Sequence, residues 1–419
     1  MSEYKNLKIY SYQHPGDSDK LKEEKNKRLN GYGTIKFPLV INPIDGRDGI
    51  RLPDRLVLFL VPISDYNSLL TTIRDNSSKI KSLIDKLPGI AGTQFFTEML
   101  VNEIQGTNDI ENVATTTKEI NNAIENVDNN QKSVRLQSFA KMYLSIKKGK
   151  IKKIASLKDI RNLYDYLLKG EISNDKLPDG VLFRNGYVRV GTDTKTFHTP
   201  KTTENEINEQ LENWIKFINN DSFDPILKAC VAHYYFEYIH PFNDGNGRLG
   251  RYIFCSYIGK KIDPYTAISF SHQVNLKKTK YDDEFKEVEN KKNYGEVTFF
   301  VIRLLKYLVS GQTDVLEKLK TSKKMLDYIG SKLDSWNIPK QESSSLFIYA
   351  QAFLFNDIDG SVEDRELYYF LNKELKISKK KLRICLDDFE KEELIETVKK
   401  NPIKRRLTEK FFKKLDLSI

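Results

Sequence analysis

Residues 225–258 read PILKACVAHYYFEYIHPFNDGNGRLGRYIFCSYI, and their reading decides the fold. The first part, 225–239, is apolar around most of its circumference, which predicts a helix running through a core. His240 stands at its end, and Pro241 discourages further helix. NDGNG (243–247) must turn tightly; its glycines open φ values closed to other residues and let an anion approach the backbone amides. RLGRYIFCSYI (248–258) then starts a second helix. The turn therefore offers free N–H groups at a helix N-terminus, where unpaired donors and the dipole favour a phosphate. Arg248 and Arg251 lie three apart on one face, so both guanidinium groups can reach the same polyanion. Asp244, beside that anion site, suits Mg²⁺, which takes one or two carboxylates plus phosphate oxygens. His240 is left as a base at the mouth of the cradle.

Working outward, helical spacing recurs at 67–87, 93–105, 132–148, 157–169, 204–219, 278–292, 295–309 and 312–334. Gly106 is expected to cap the second of these. Residues 1–50 are polar and turn-rich and predict irregular structure with one short strand at TIKFPLVI. GVLFRNGYVRVGTDTKTFHTP (180–200) alternates β-branched or aromatic with polar residues and predicts a hairpin. NIPKQESSS (337–345) is the expected linker. Residues 346–419 read as three short helices and a basic hairpin, the order of a winged helix-turn-helix. The fold class is thus mainly α, in three regions: 1–92, a catalytic core at 93–336, and 346–419.

The chain of 419 residues carries a formal net charge of +10, and residues 376–419 hold 14 Lys/Arg against 8 Asp/Glu. That excess makes an anionic partner plausible, and Lys379, Lys380, Lys381 and Arg383 open the expected recognition helix, so duplex DNA is a candidate partner of 346–419. Cys230, Cys255 and Cys385 form no CxxC pair, which excludes a zinc or disulfide framework from the reading. The opening residues lack an apolar signal segment, and LVLFLVPI (56–63) is too short to span a bilayer. A cytoplasmic protein without membrane attachment is expected.

The central run HPFNDGNGR with LGR resembles the signature H-x-F-x-[DE]-G-N-G-R-x-x-R of the Fic (filamentation induced by cAMP) family. His240, Phe242, Asp244, Gly245, Asn246, Gly247, Arg248 and Arg251 all match. The resemblance implies a helical bundle with a β-hairpin flap, here 182–198, and a protein adenylyltransferase that moves AMP from ATP to a Ser, Thr or Tyr hydroxyl of a target protein. It implies His240 as the catalytic base, Asp244 as the Mg²⁺ ligand, and Gly245, Asn246, Gly247, Arg248 and Arg251 as the phosphate-binding set. Phe242 would pack into the core and fix the loop. VNEIQGTNDIENV (101–113) is similar to the family's inhibitory segment, [ST]-x-x-x-E-[GN], on the helix 93–106. With Gly106 taken as its last position, Gln105 stands where the family has the glutamate that pairs with Arg251. Weakened autoinhibition is the expectation. Related alternatives are transfer of another nucleotide or phosphate group, or a nucleotide-sensing DNA-binding regulator; a homodimer is a candidate assembly.

Overall fold

The first fifty residues hold more order than their polarity suggests. In the computed structural model, which describes residues 4–45, 49–127, 134–191 and 196–417, they form α1 (Leu7–Gln13) and α2 (Ser18–Leu29) before strand β1 (Ile35–Ile41). α2 buries only Leu21 and Arg28, so no apolar stripe marks it in the sequence. It is held instead by charge: Arg28 pairs with Glu24 at 2.8 Å and with the buried Glu296 at 3.1 Å. β1 pairs antiparallel with β2 (Leu56–Leu60), the apolar run LVLFL, whose last three residues are buried.

Next come α3 (Ser64–Ile84), α4 (Ala91–Ile110), α5 (Thr117–Glu125), α6 (Gln137–Lys147) and α7 (Leu157–Leu167). α4 overruns Gly106, which is no cap. A Cβ there would lie 2.9 Å from the Ser271 and His272 backbone, so the missing side chain serves helix-to-backbone approach. The expected hairpin at 182–198 is reduced to β3 (Val190–Gly191) and β4 (Thr196–His198), with residues 192–195 outside the described set.

α8 (Glu204–Ile218), α9 (Pro225–Ile239) and α10 (Asn246–Lys261) form the centre. Asp224 caps α9 by accepting from the Ile226 and Leu227 amides, and Pro225 takes the first helical position, where its missing N–H costs nothing. Nearly all of α9 is buried, as its all-round apolar sequence requires. Trp214 of α8 packs on it and donates its indole N–H to the Ala232 carbonyl at 2.8 Å. Full burial of each such large side chain is worth about 1.5–3 kcal/mol, so α9 is the energetic axis of this region. Then follow α11 (Pro264–Ala267), α12 (Phe270–Asn275), α13 (Lys278–Glu289) and α14 (Thr298–Ser335). α14 fuses two expected helices: Gly311 does not break it, because its bare Cα lets Ser269 pack against the helix.

The expected linker is also partly helix, since α15 (Lys340–Phe355) starts inside it. β5 (Val362–Glu363), α16 (Asp364–Leu375), α17 (Lys379–Lys391), β6 (Ile395–Lys400), β7 (Ile403–Leu407) and α18 (Glu409–Lys413) complete the chain. The strands form a sheet of order β5-β7-β6. Two compact units result, Met1–Ser77 with Asn102–Gln312, and Ser78–Val101 with Thr313–Ile419. Among the described residues, no helix is long and apolar enough to cross a membrane.

Candidate active site

α9 ends at His240 with φ 51°, a left-handed value uncommon for a residue with a side chain. The conformation is held from outside. Arg184, fully buried, donates from Nε to the His240 carbonyl at 2.7 Å and from Nη1 to the Gly186 carbonyl at 2.8 Å, while its backbone N–H reaches the Pro241 carbonyl at 3.0 Å. Burial, helped by Arg51, pulls its guanidinium down to about 10. Sequence reading missed Arg184, because nothing local marks an arginine 56 positions before the residue that it restrains.

Phe242 is buried as expected, stacked on Tyr164 with centroids 3.8 Å apart. Gly245, at φ 83°, forms the N-cap of α10, and a Cβ on it would overlap Leu168. Asn246 clamps the loop: its Oδ1 accepts from the Phe242 N–H at 2.9 Å and its Nδ2 donates one of its two N–H groups to the Phe242 carbonyl at 2.8 Å.

Arg248 and Arg251 are 2% and 1% exposed. The Arg248 Nε and Nη1 have no hydrogen-bond partner among the described residues, and its only ion pair is a long one of 3.7 Å to Asp244. Two buried, unanswered N–H groups on a cation at a helix N-terminus are what an anion site needs. Asp244 accepts from the Gly245 N–H at 2.6 Å and keeps 35% of its side chain exposed. Among the described residues no group of three or more Asp, Glu, His or Cys side chains is arranged to hold a metal ion. A single accessible carboxylate next to an anion cradle fits Mg²⁺ shared with phosphate oxygens, not a site made by protein ligands alone.

Arg251 is answered, but not by Gln105. Its Nη2 pairs with Glu111 at 2.7 Å and donates to the Thr107 carbonyl at 3.0 Å, while Nε donates to the Thr107 hydroxyl at 2.8 Å. Gln105 donates instead to Asp109 at 2.7 Å and to the Thr115 carbonyl at 3.1 Å. Among the described residues Gln105 makes no hydrogen bond to Arg251, and the carboxylate beside that arginine is Glu111. T-N-D-I-E-N, Thr107 to Asn112, fits [ST]-x-x-x-E-[GN] in full. Glu111 also lies so close over α10 that a Cβ on Gly247 would overlap its carboxylate. An internal anion thus covers the start of the helix. Burial pushes the Glu111 carboxyl up, but Arg251 outweighs it and holds the group below its ordinary range.

A cleft of about 380 Å³ brings His240, Gly247 and Arg251 together with Glu111, Glu237 and Tyr281, while Asp244, Gly245, Asn246 and Arg248 are not part of its lining. Burial, with His198 and Arg184 nearby, pulls the His240 imidazole down to about 3, so it is neutral at physiological pH. The Glu237 carbonyl favours a proton on the ring nitrogen that faces it, leaving the other nitrogen unprotonated. His198, buried on β4, was not foreseen either; it bridges Glu289 at 2.7 Å and the Tyr238 carbonyl at 2.8 Å.

Residues 154–258 match the Fic/DOC family. Protein adenylyltransferase fic-1 of Caenorhabditis elegans is 43% identical over 56 residues, 13% of this chain and 11% of that protein. Protein adenylyltransferase Fic of Nematostella vectensis is 28% identical over 102 residues, 24% and 22% of the two chains. The probable protein adenylyltransferase aq_aa38 of Aquifex aeolicus is 46% identical over 41 residues, 10% and 12%. The matches therefore span under a quarter of these relatives' lengths. Among solved structures, a Fic family protein from Desulfovibrio desulfuricans G20 superposes with a TM-score of 0.47 at 17% identity, covering 80% of this chain and 96% of the other. The helix that delivers His240, the clamped turn, and Arg248 and Arg251 on the next helix all fall inside the matched stretch, and this chain carries a Fic/DOC family domain.

Proposed function

We propose that the protein is an adenylyltransferase that moves AMP from ATP to a Ser, Thr or Tyr hydroxyl of a target protein, and that the present conformation is its restrained state. The observation that carries the reading is a neutral histidine at the end of α9, His240, with a buried cation at the start of α10, Arg248, whose Nε and Nη1 have no hydrogen-bond partner among the described residues. The names of the relatives agree with it.

In this reading the cradle binds the polyphosphate through the backbone N–H groups of Asn246 and Gly247, which the first turn of α10 leaves without intrahelical partners. Arg248 and Arg251 neutralise the outer phosphates. Asp244 would hold Mg²⁺ against them, and the ion when bound supplies further neutralisation of phosphate charge. The free imidazole nitrogen of His240 removes the proton of the target hydroxyl. The hydroxyl oxygen then bonds to the α-phosphorus, the bond to the bridging oxygen breaks, and pyrophosphate leaves. Positioning and charge stabilisation supply most of such a rate enhancement. The Glu111 carboxylate occupies the cradle and Arg251, so ATP must compete with it.

Incubation with α-labelled ATP and Mg²⁺ tests the reading through label on the protein itself or on an added target. His240→Ala is expected to abolish the label while ATP binding persists. Substantial labelling by that variant would remove His240 from the role of base.

A second proposal concerns residues 346–419, read as a winged helix that contacts duplex DNA. The succession α15, α16, α17 and the β6–β7 ribbon supports it.

A further inference from the structure

A second cavity, of about 220 Å³, opens between α8, α9, α10 and the segment 151–154, and shares no lining residue with the catalytic cleft. Its walls are apolar: Trp214 and Ile218 of α8, Phe236 of α9, and Ile253 and Phe254 of α10. The space exists because α9 presents the small side chains of Ala229 and Ala232 there, where bulkier residues would fill it.

Its polar lining is almost all of one sign. Lys152, Lys153, Lys228, Lys260 and Lys261 border it, with Asp221 as the one acid. Asp221 is answered by Lys228 at 3.2 Å, and Lys152 by Asp159 at 3.0 Å. Lys153, Lys260 and Lys261 make no ion pair among the described residues, and all three are exposed. His233, buried on the cavity wall, leaves its Nδ1 near the Gly250 carbonyl without a well-aligned hydrogen bond. Its Nε2 lies 2.6 Å from the Tyr281 hydroxyl, and Tyr281 lines the catalytic cleft. One wall residue of the cavity thus touches one wall residue of the cleft.

Apolar walls would hold a hydrocarbon, and unpaired ammonium groups at exposed positions would hold an anion at its end. The volume accepts one chain of medium length and excludes the paired long chains of a membrane lipid. We infer that this cavity is a binding site for a single-chain amphipathic anion, a medium-chain carboxylate. The apolar chain would lie along Trp214, Phe236 and Phe254, and the head group among Lys153, Lys260 and Lys261. The inference does not depend on the transferase reading.

The chain has two tryptophans, Trp214 and Trp336, so Trp336→Phe leaves Trp214 as the sole reporter on the cavity wall. Titration of that full-length variant with decanoate is expected to change the emission saturably. The added charge reversal Lys260→Glu/Lys261→Glu lies on the surface and spares the core. It should raise the apparent Kd at least about tenfold, the loss expected when a charged hydrogen bond is removed. Decanol, with the same chain and no charge, should bind weaker by a similar factor. Three results would overturn the inference: no saturation with decanoate, equal affinity for decanol, or an unchanged Kd after charge reversal. Binding to anionic diacyl vesicles with no decanoate response would overturn it as well.

Discussion

At Glu111 one carboxylate does two things: it pairs with the second motif arginine, and it covers the helix start where an anion would bind. Glu111→Gln keeps the shape and removes the charge. A charged hydrogen bond is worth about 1.5–3 kcal/mol, so the competition with ATP should shift by roughly ten- to a hundredfold. Labelling from α-labelled ATP is expected to rise by that order, and an unchanged rate would show that Glu111 is not the restraint. Gln105→Glu, at a side chain that meets Asp109 and the Thr115 carbonyl and not Arg251, should leave the rate unaltered. Glu237 makes a different prediction. Its Oε1 has no partner among the described residues, and burial, opposed by Arg251 and reinforced by Glu111, pushes its carboxyl up to about 8. The folded state therefore holds a proton that the unfolded state releases near pH 4.5, so stability falls as pH rises from about 4.5 to 8. Glu237→Gln should abolish that slope. Urea unfolding at pH 5 and pH 9 would show the variant gaining on the parent by as much as a few kcal/mol at the higher pH. Parallel losses in both proteins would mean that Glu237 ionises normally.

The helix α4 sets where Glu111 sits, and its anchorage is unusually close. Glu103, buried, accepts from the Ser271 N–H at 2.7 Å, from the Ser271 hydroxyl at 2.5 Å and from Cys255 at 3.2 Å. One turn on, Gly106 approaches the Ser271 and His272 backbone. Gly106→Ala gains about 1 kcal/mol of helix propensity but overpacks a backbone contact, which typically costs 1–3 kcal/mol. A net loss of about 1 kcal/mol in urea unfolding is expected, together with faster labelling as α4 lifts and the Glu111–Arg251 pair loosens. Equal stability with an unchanged labelling rate would show that the contact does not set the restraint. The same glycine set the register of the inhibitory-like segment in the sequence. Gly106 matches the last position of [ST]-x-x-x-E-[GN] and so puts Gln105 at the glutamate position, whereas the carboxylate that pairs with Arg251 lies six residues on, at Glu111. The α9–turn–α10 unit, by contrast, was legible because its signals are local: an all-round apolar helix, a proline after His240, and glycines where the chain must turn. Arg184 and His198 were illegible for the opposite reason. Each acts on the end of α9 from a distant segment, and only the folded chain brings them together. Asn246 shows a third case, since the clamp of its amide on Phe242 is a contact that the motif spacing does not announce.

Charge is spread unevenly over the molecule, and the last 44 residues hold a net +6 of the total +10. Part of that excess is structural. Arg405 on β7 is buried and faces Asp364 at 3.4 Å, Asp387 at 3.6 Å and Glu390 at 3.0 Å, so it packs the ribbon against the helices and is closed to an outside partner. The start of α17 is different. Lys379, Lys380, Lys381 and Arg383 are exposed, and the Ser378 hydroxyl caps the helix at the Lys381 N–H. A helix N-terminus with four outward cations is suited to phosphates, and a winged helix places such a helix at the major groove. If the proposed DNA contact is real, log K for a duplex should fall linearly with log salt, with a slope near −0.9 for each phosphate neutralised. Lys379→Glu/Lys380→Glu/Arg383→Glu should flatten that slope by about 3 and leave labelling from α-labelled ATP unchanged, because none of the three lines the catalytic cleft. A duplex affinity insensitive to salt, or equal in the parent and the triple variant, would assign the basic helix to solvation and leave the C-terminal unit as a packing module.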